Sequence, residues 1–217
     1  TGRAPGQTFE TGWLVRRFTL TDVGLVGVTA ALTIMFFAMR AVMDIGGSCA
    51  SGNTPYQIAR PCPDGVGGLM TGSILLGLVF LAVYGISAIG PNLTLLAWPA
   101  LFLSLGWNFL EYGVNPPDGS AGVVWGWLIC GVVFALMGGL PLVFGIKAAL
   151  AGNETRAGKA RTSMVNRYSS ASIDRVDDRT LWRIGLVAQL VSIVVGIWVG
   201  IQIYEWGSGT TVSISWG

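Results

Sequence analysis

Two groups of residues in this chain have the types and spacing to do chemistry. The first is Cys49 and Cys62, two of only three cysteines, set in "GGSCASGNTPYQIARPCPDG". Such a pair could hold a metal, exchange thiols or close a loop. A structural zinc site uses four ligands and the chain has no histidine to complete one. The spacing is neither Cys-x-x-Cys nor a haem-attachment pattern. A disulfide is the expected reading wherever the segment meets an oxidising compartment. The second group is Ser104, Asn108 and Glu111 in "SLGWNFLEYGVNPPDG", where Asn108 and Glu111 stand three apart on one helical face. A carboxylate at membrane depth is costly unless paired or wetted, which usually signals an ion or proton path, and near the interface most of that cost disappears. A structural contact is therefore expected for Asn108 and Glu111, made to the 44–65 loop or to Arg40. A ligand or lipid-headgroup site, or ion conduction, stands as the alternative.

Enzymatic chemistry has little to work with here. Without histidine the chain lacks the usual general base near neutral pH and the commonest metal ligand. It has no Gly-x-Ser-x-Gly elbow and no regularly spaced carboxylates, and no inward-facing histidine for haem. The expectation is a non-enzymatic protein with no cofactor and no metal.

The elements that position these residues follow from composition. Of 217 residues, 52% are hydrophobic and 11% charged, against about 25% charged in a soluble domain. Five apolar segments of membrane-spanning length are expected, at about 23–42, 66–90, 93–110, 121–149 and 184–204. The fold class is therefore all-α, a single integral-membrane bundle of five transmembrane helices. Pro91 suits the start of the third helix after a tight hairpin. Gly138, Gly139 and Pro141 should bend the fourth. No secretory cleavage pattern precedes the first, which reads as an uncleaved anchor.

Basic residues orient the bundle, because Lys and Arg of short loops stay cytoplasmic. Arg3, Arg16 and Arg17 precede the first span, and eight more lie between Lys147 and Arg183, so 11 of the 13 share one side. Arg40 and Arg60 fall on the other. The N-terminus is expected inside and the C-terminus outside, with Trp107, Tyr112, Trp125, Tyr204 and Trp206 near the outer interface, which amphipathic rings prefer. The 44–65 loop then lies outside, closed by Cys49 and Cys62. Closing about 14 residues contributes on the order of 3 kcal/mol in the chain-entropy model. The Ser-rich 150–182 loop lies inside, where its basic charge suits anionic lipid headgroups. A net charge of +2 gives no case for nucleic acid.

Glycines recur at short spacing: Gly68 with Gly72, Gly122 with Gly126, Gly196 with Gly200, and Gly24 with Gly27. In lipid such small residues let helix backbones approach, so these positions are expected at helix contacts. Cys130, inside the fourth span, reads as a small buried apolar residue.

The loop pattern "SCASG" followed by "PYQIARPCPDG", with "LGWNFLEYG" at the end of the third span, resembles uncharacterised polytopic membrane proteins of actinobacteria. The resemblance covers the first three spans and implies an actinobacterial plasma membrane, with no activity attached. The expected function is an accessory or structural subunit that binds other membrane-protein subunits. A small transporter, channel or lipid-binding protein using Asn108 and Glu111 is the alternative.

Overall fold

A computed structural model describes residues 7–47, 61–88, 93–117, 122–150 and 178–212. These residues form helices α1 (Gln7–Asp44), α2 (Val66–Ser87), α3 (Ala97–Val114, preceded by a 3₁₀ turn at Leu93–Leu96), α4 (Trp125–Leu150) and α5 (Asp178–Ser208), with no strand among them. All five helices are long and apolar enough to cross a membrane. Cys49, Pro91 and most of the 150–182 loop fall outside the described residues, and so does the expected Cys49–Cys62 bridge.

Helix α1 is the hub. It packs against α2 along its length, against α5 on another side and against α3 near its C-terminal end, while α4 packs on α3. The termination of α1 is written in "DIGG". Gly46 N–H bonds Met43 O at 2.9 Å and Gly47 N–H bonds Val42 O at 3.0 Å, with φ of 102° and 82°. That paired pattern is the Schellman cap, which needs a left-handed residue and so favours glycine. Gly65, the N-cap of α2, is also left-handed at φ 71°, and its carbonyl accepts from Leu69 N–H at 2.9 Å; a side chain there would also strike the carbonyl of Gly207 at the end of α5.

Small residues make these contacts close at two of the four expected pairs. Gly24 and Gly27 of α1 face Tyr84 and Phe80 of α2, and Gly196 and Gly200 of α5 face Val26, Thr29, Ala30 and Thr33 of α1. Gly68, Gly72 and Gly126 have no neighbour where a Cβ would point, and Gly122 lies at φ 77° ahead of α4, also in open space. Four-residue spacing shows that a helix can be approached. It does not show which face is approached.

The seam between α3 and α4 carries a glycine repeat of seven instead: Gly106 and Gly113 on α3, Gly131 and Gly138 on α4. A Cβ on Gly131 would come 2.9 Å from the Leu110 nitrogen, and one on Gly138 would come 3.0 Å from the Pro99 carbonyl oxygen. Pro141 sits inside α4, which runs on to Leu150. Proline has no N–H to give the carbonyl four residues back. The carbonyl four residues back is that of Met137, and the Trp98 indole N–H donates to it at 3.2 Å. Cys130 is exposed rather than buried, because only one side of α4 is covered by α3. Tyr112 and Tyr204 turn inward at 7% and 6% exposure, whereas Trp107, Trp125 and Trp206 stay exposed.

Two substitutions of the same type on α4 should therefore separate. Gly131→Leu forces a side chain into α3 and should cost about 1–3 kcal/mol, as overpacking does, while Gly139→Leu projects into open space and should leave thermal unfolding in detergent unchanged. Equal losses at both positions would contradict the assigned seam.

Candidate functional site

Three of the four polar residues singled out in the sequence meet where α1 runs beside α3. Arg40 and its neighbours at i−4 and i+4, Phe36 and Asp44, present one face of α1, and Asn108, Glu111 and Tyr112 present one face of α3. The two helices run parallel here, so the contacts climb in register. Asn108, fully buried, donates from Nδ2 to the Phe36 carbonyl at 3.2 Å, and its Oδ1 lies 3.4 Å from Arg40 Nη1. Arg40 donates from Nη1 to Glu111 Oε2 at 2.5 Å and from Nη2 to Oε1 at 2.9 Å. The Tyr112 hydroxyl donates to Asp44 Oδ1.

This is a two-pronged guanidinium–carboxylate pair, the geometry in which Arg differs most from Lys. The guanidinium also lies over two rings, 5.1 Å from the centre of Tyr112 and 5.7 Å from that of Phe36. Tyr112 in turn meets Trp127 of α4 edge-on at 6.3 Å. Ser104 stays out of the cluster, bonding Leu101 O of its own helix at 2.8 Å.

A second polar layer ties α1, α2 and α5 at the opposite end of the bundle. Arg17 Nη2 donates to Ile86 O at 3.2 Å, placing a cation on the last carbonyls of α2 where the helix dipole favours it. The Thr21 hydroxyl lies 2.8 Å from Ser87 O and 2.9 Å from Arg17 O. Tyr84 accepts from Leu93 N–H at 2.9 Å and donates to Gln189 Oε1 at 3.3 Å, while Ser192 donates to Asp22 Oδ1 at 3.2 Å.

No buried side-chain polar atom among the described residues lacks a partner, and no group of three metal-ligating side chains occurs among them. No family model, curated protein or solved structure matches the chain. What the site can do must therefore be read from its own geometry. Both Glu111 oxygens are engaged by Arg40, so this carboxylate is placed to hold a helix rather than to take a proton. The second layer was less visible in the sequence. Gln189 and Ser192 are polar residues within a long apolar run, but Tyr84, Thr21 and Asp22 belong to no motif. Asp44, four residues after Arg40, carried a spacing signal that pairs it with the same face.

Removing one partner leaves the other charge uncompensated, a cost that removing both does not double. With side-chain exposures of 28% and 35%, Glu111→Gln or Arg40→Met alone should lose roughly 1–3 kcal/mol. The double variant should lose less than the sum by at least about 0.5 kcal/mol. Additive losses in equilibrium unfolding would mean that the two side chains do not support each other.

Proposed function

We propose that the chain is a non-enzymatic integral membrane protein, an accessory or structural subunit that assembles laterally with other membrane proteins. The observation that carries this reading is the way α4 is held. It rests on α3 through glycines, and its remaining surface is apolar and exposed, with Ile129, Leu136, Leu140 and Phe144 each more than half exposed. Gly126, Gly139 and Gly145 on this helix have open space where a Cβ would stand. In hydrocarbon, exposed apolar side chains are at home, but open glycines leave backbone that a second helix can approach closely. Among the described residues the buried polar side-chain atoms are matched within the chain.

Orientation is part of the same proposal. Arg16, Arg17, Lys147 and Arg183 lie at one end of the bundle, and at the other Arg40 is joined to Glu111. By the retention of basic residues that first end is cytoplasmic, and the resemblance of the loop pattern assigns it to an actinobacterial plasma membrane. The Cys62 end then faces outward, where a bridge to Cys49 persists. Transport through Asn108 and Glu111 would require both to let go of Arg40 and Phe36, and the assembly reading asks for no such release.

Two outcomes are expected. Purified in mild detergent from its own membrane, the chain should bring defined partner polypeptides, and Gly139→Leu should reduce their recovery severalfold while the bundle stays folded. A lone monomer would count against the proposal. Under denaturing conditions a thiol reagent should label one cysteine before reduction and three after it. Labelling of all three without reductant would remove the bridge.

A further inference from the structure

A cavity of about 460 Å³ runs beside α1 between α2 and α5. Gly27 and Ala30 floor it, Gly68 and Gly72 wall it on the α2 side, and Val199 and Ile203 wall it on the α5 side. Its surface is almost wholly apolar. Of its two polar side chains, Ser73 bonds Met70 O within α2 and Asp22 accepts from Ser192. At one end the groove is stopped by packed residues: Tyr204 and Val66 join Ala38 in a buried cluster against Leu69, and Gly65 abuts Gly207. At the other it runs out past Val23, which is 49% exposed.

The dimensions decide between occupants. From Asp22 to Ile34 the groove follows α1 for about 18 Å at the helical rise, close to the roughly 15 Å half-thickness of a bilayer's hydrocarbon core. Dividing the volume by that length gives a cross-section of about 26 Å² for the centre of a water-sized sphere, and the whole empty space of about 1040 Å³ gives at most about 58 Å². A helix at least about 10 Å across would need about 80 Å², more than the groove offers, whereas an extended hydrocarbon chain about 4 Å across, as carbon contacts set it, needs only about 13 Å². Charge agrees with a lipid entering from the open end. Arg16 is exposed and stands one heptad before Val23, hence on nearly the same face of α1. It lies about 10 Å beyond Val23 along the axis, within reach of a phosphate at the membrane surface.

We infer that this groove holds one acyl chain of a membrane phospholipid, with its phosphate beside Arg16. The open backbone at Gly68 and Gly72 is then explained as the wall of a lipid slot, a role distinct from the lateral assembly proposed for α4. The lipid fills space that helix packing leaves empty and so belongs to the folded bundle.

Native mass spectrometry of the full chain, released from micelles under conditions that strip loosely held lipid, reads this directly. One phospholipid should remain on the wild-type chain. Gly72→Leu should lose it at least tenfold, because a Cβ there meets nothing within 4 Å and the side chain beyond it enters the groove, and leucine also suits a helix interior better than glycine. Gly68→Leu serves as the second variant if the first does not fold. Gly139→Leu on α4 should keep the lipid. A bare wild-type chain, an adduct that survives in both groove variants, an adduct that is an isoprenoid rather than a phospholipid, or loss of a polypeptide in its place would each overturn the inference.

Discussion

In the membrane setting proposed for this bundle, hydrocarbon offers no hydrogen-bond partner, so each polar side chain that α1 carries between Arg17 and Asp44 has to be matched by the protein itself. That constraint organises the bundle. Arg40 could not sit on α1 unless α3 brought Glu111 and Asn108 to it, and α3 could not bring them unless it ran parallel to α1 in the register that also sets Tyr112 against Asp44. At the other end Arg17 and Thr21 finish the carbonyls of α2, while Asp22 and Ser192 join α1 to α5. The polar residues are few, but they specify neighbours and register. The glycines then set how closely those neighbours can approach.

The two kinds of contact divide the work. Close backbone packing through Gly196 and Gly200 against threonines, or Gly131 against the Leu110 backbone, gives dispersion contact that apolar side chains could equally make with lipid. Polar pairs have no such competitor in hydrocarbon, and so they discriminate between arrangements. Helix α4 shows the contrast. It has the glycine seam, the Trp98 bond to Met137 O and the ring contact of Trp127 with Tyr112, and no ion pair ties it to α3 or α1 among the described residues. It is the helix least constrained by its own chain and the one with most surface left for another.

How far the sequence could be read follows from the same physics. The helices declare themselves through long uncharged runs, because a span must be apolar whatever it packs against. The meeting of Glu111 and Asn108 with Arg40 was within reach, since a lone cation and a lone carboxylate near span ends have few partners available. The direction of the glycine faces was not. Gly68 and Gly72 have the same spacing as Gly196 and Gly200, yet one pair borders an open groove and the other presses on α1. In lipid an uncovered glycine is not penalised, so spacing alone cannot separate the two. The seven-residue repeat of Gly106, Gly113, Gly131 and Gly138 held more information, because it recurs on two successive helices that a short connection makes antiparallel neighbours.

The central claim is a hierarchy: α1 is fixed from both ends by polar contacts on three sides, and α4 is attached through α3. Residue-resolved amide exchange on the full chain in mild detergent measures it directly, since local opening follows how each helix is held. The account predicts that α1 amides between Gly24 and Arg40 exchange last and that α4 amides between Leu128 and Gly145 lose protection first as denaturant is added. Protection in α4 that outlasts α1 would contradict it.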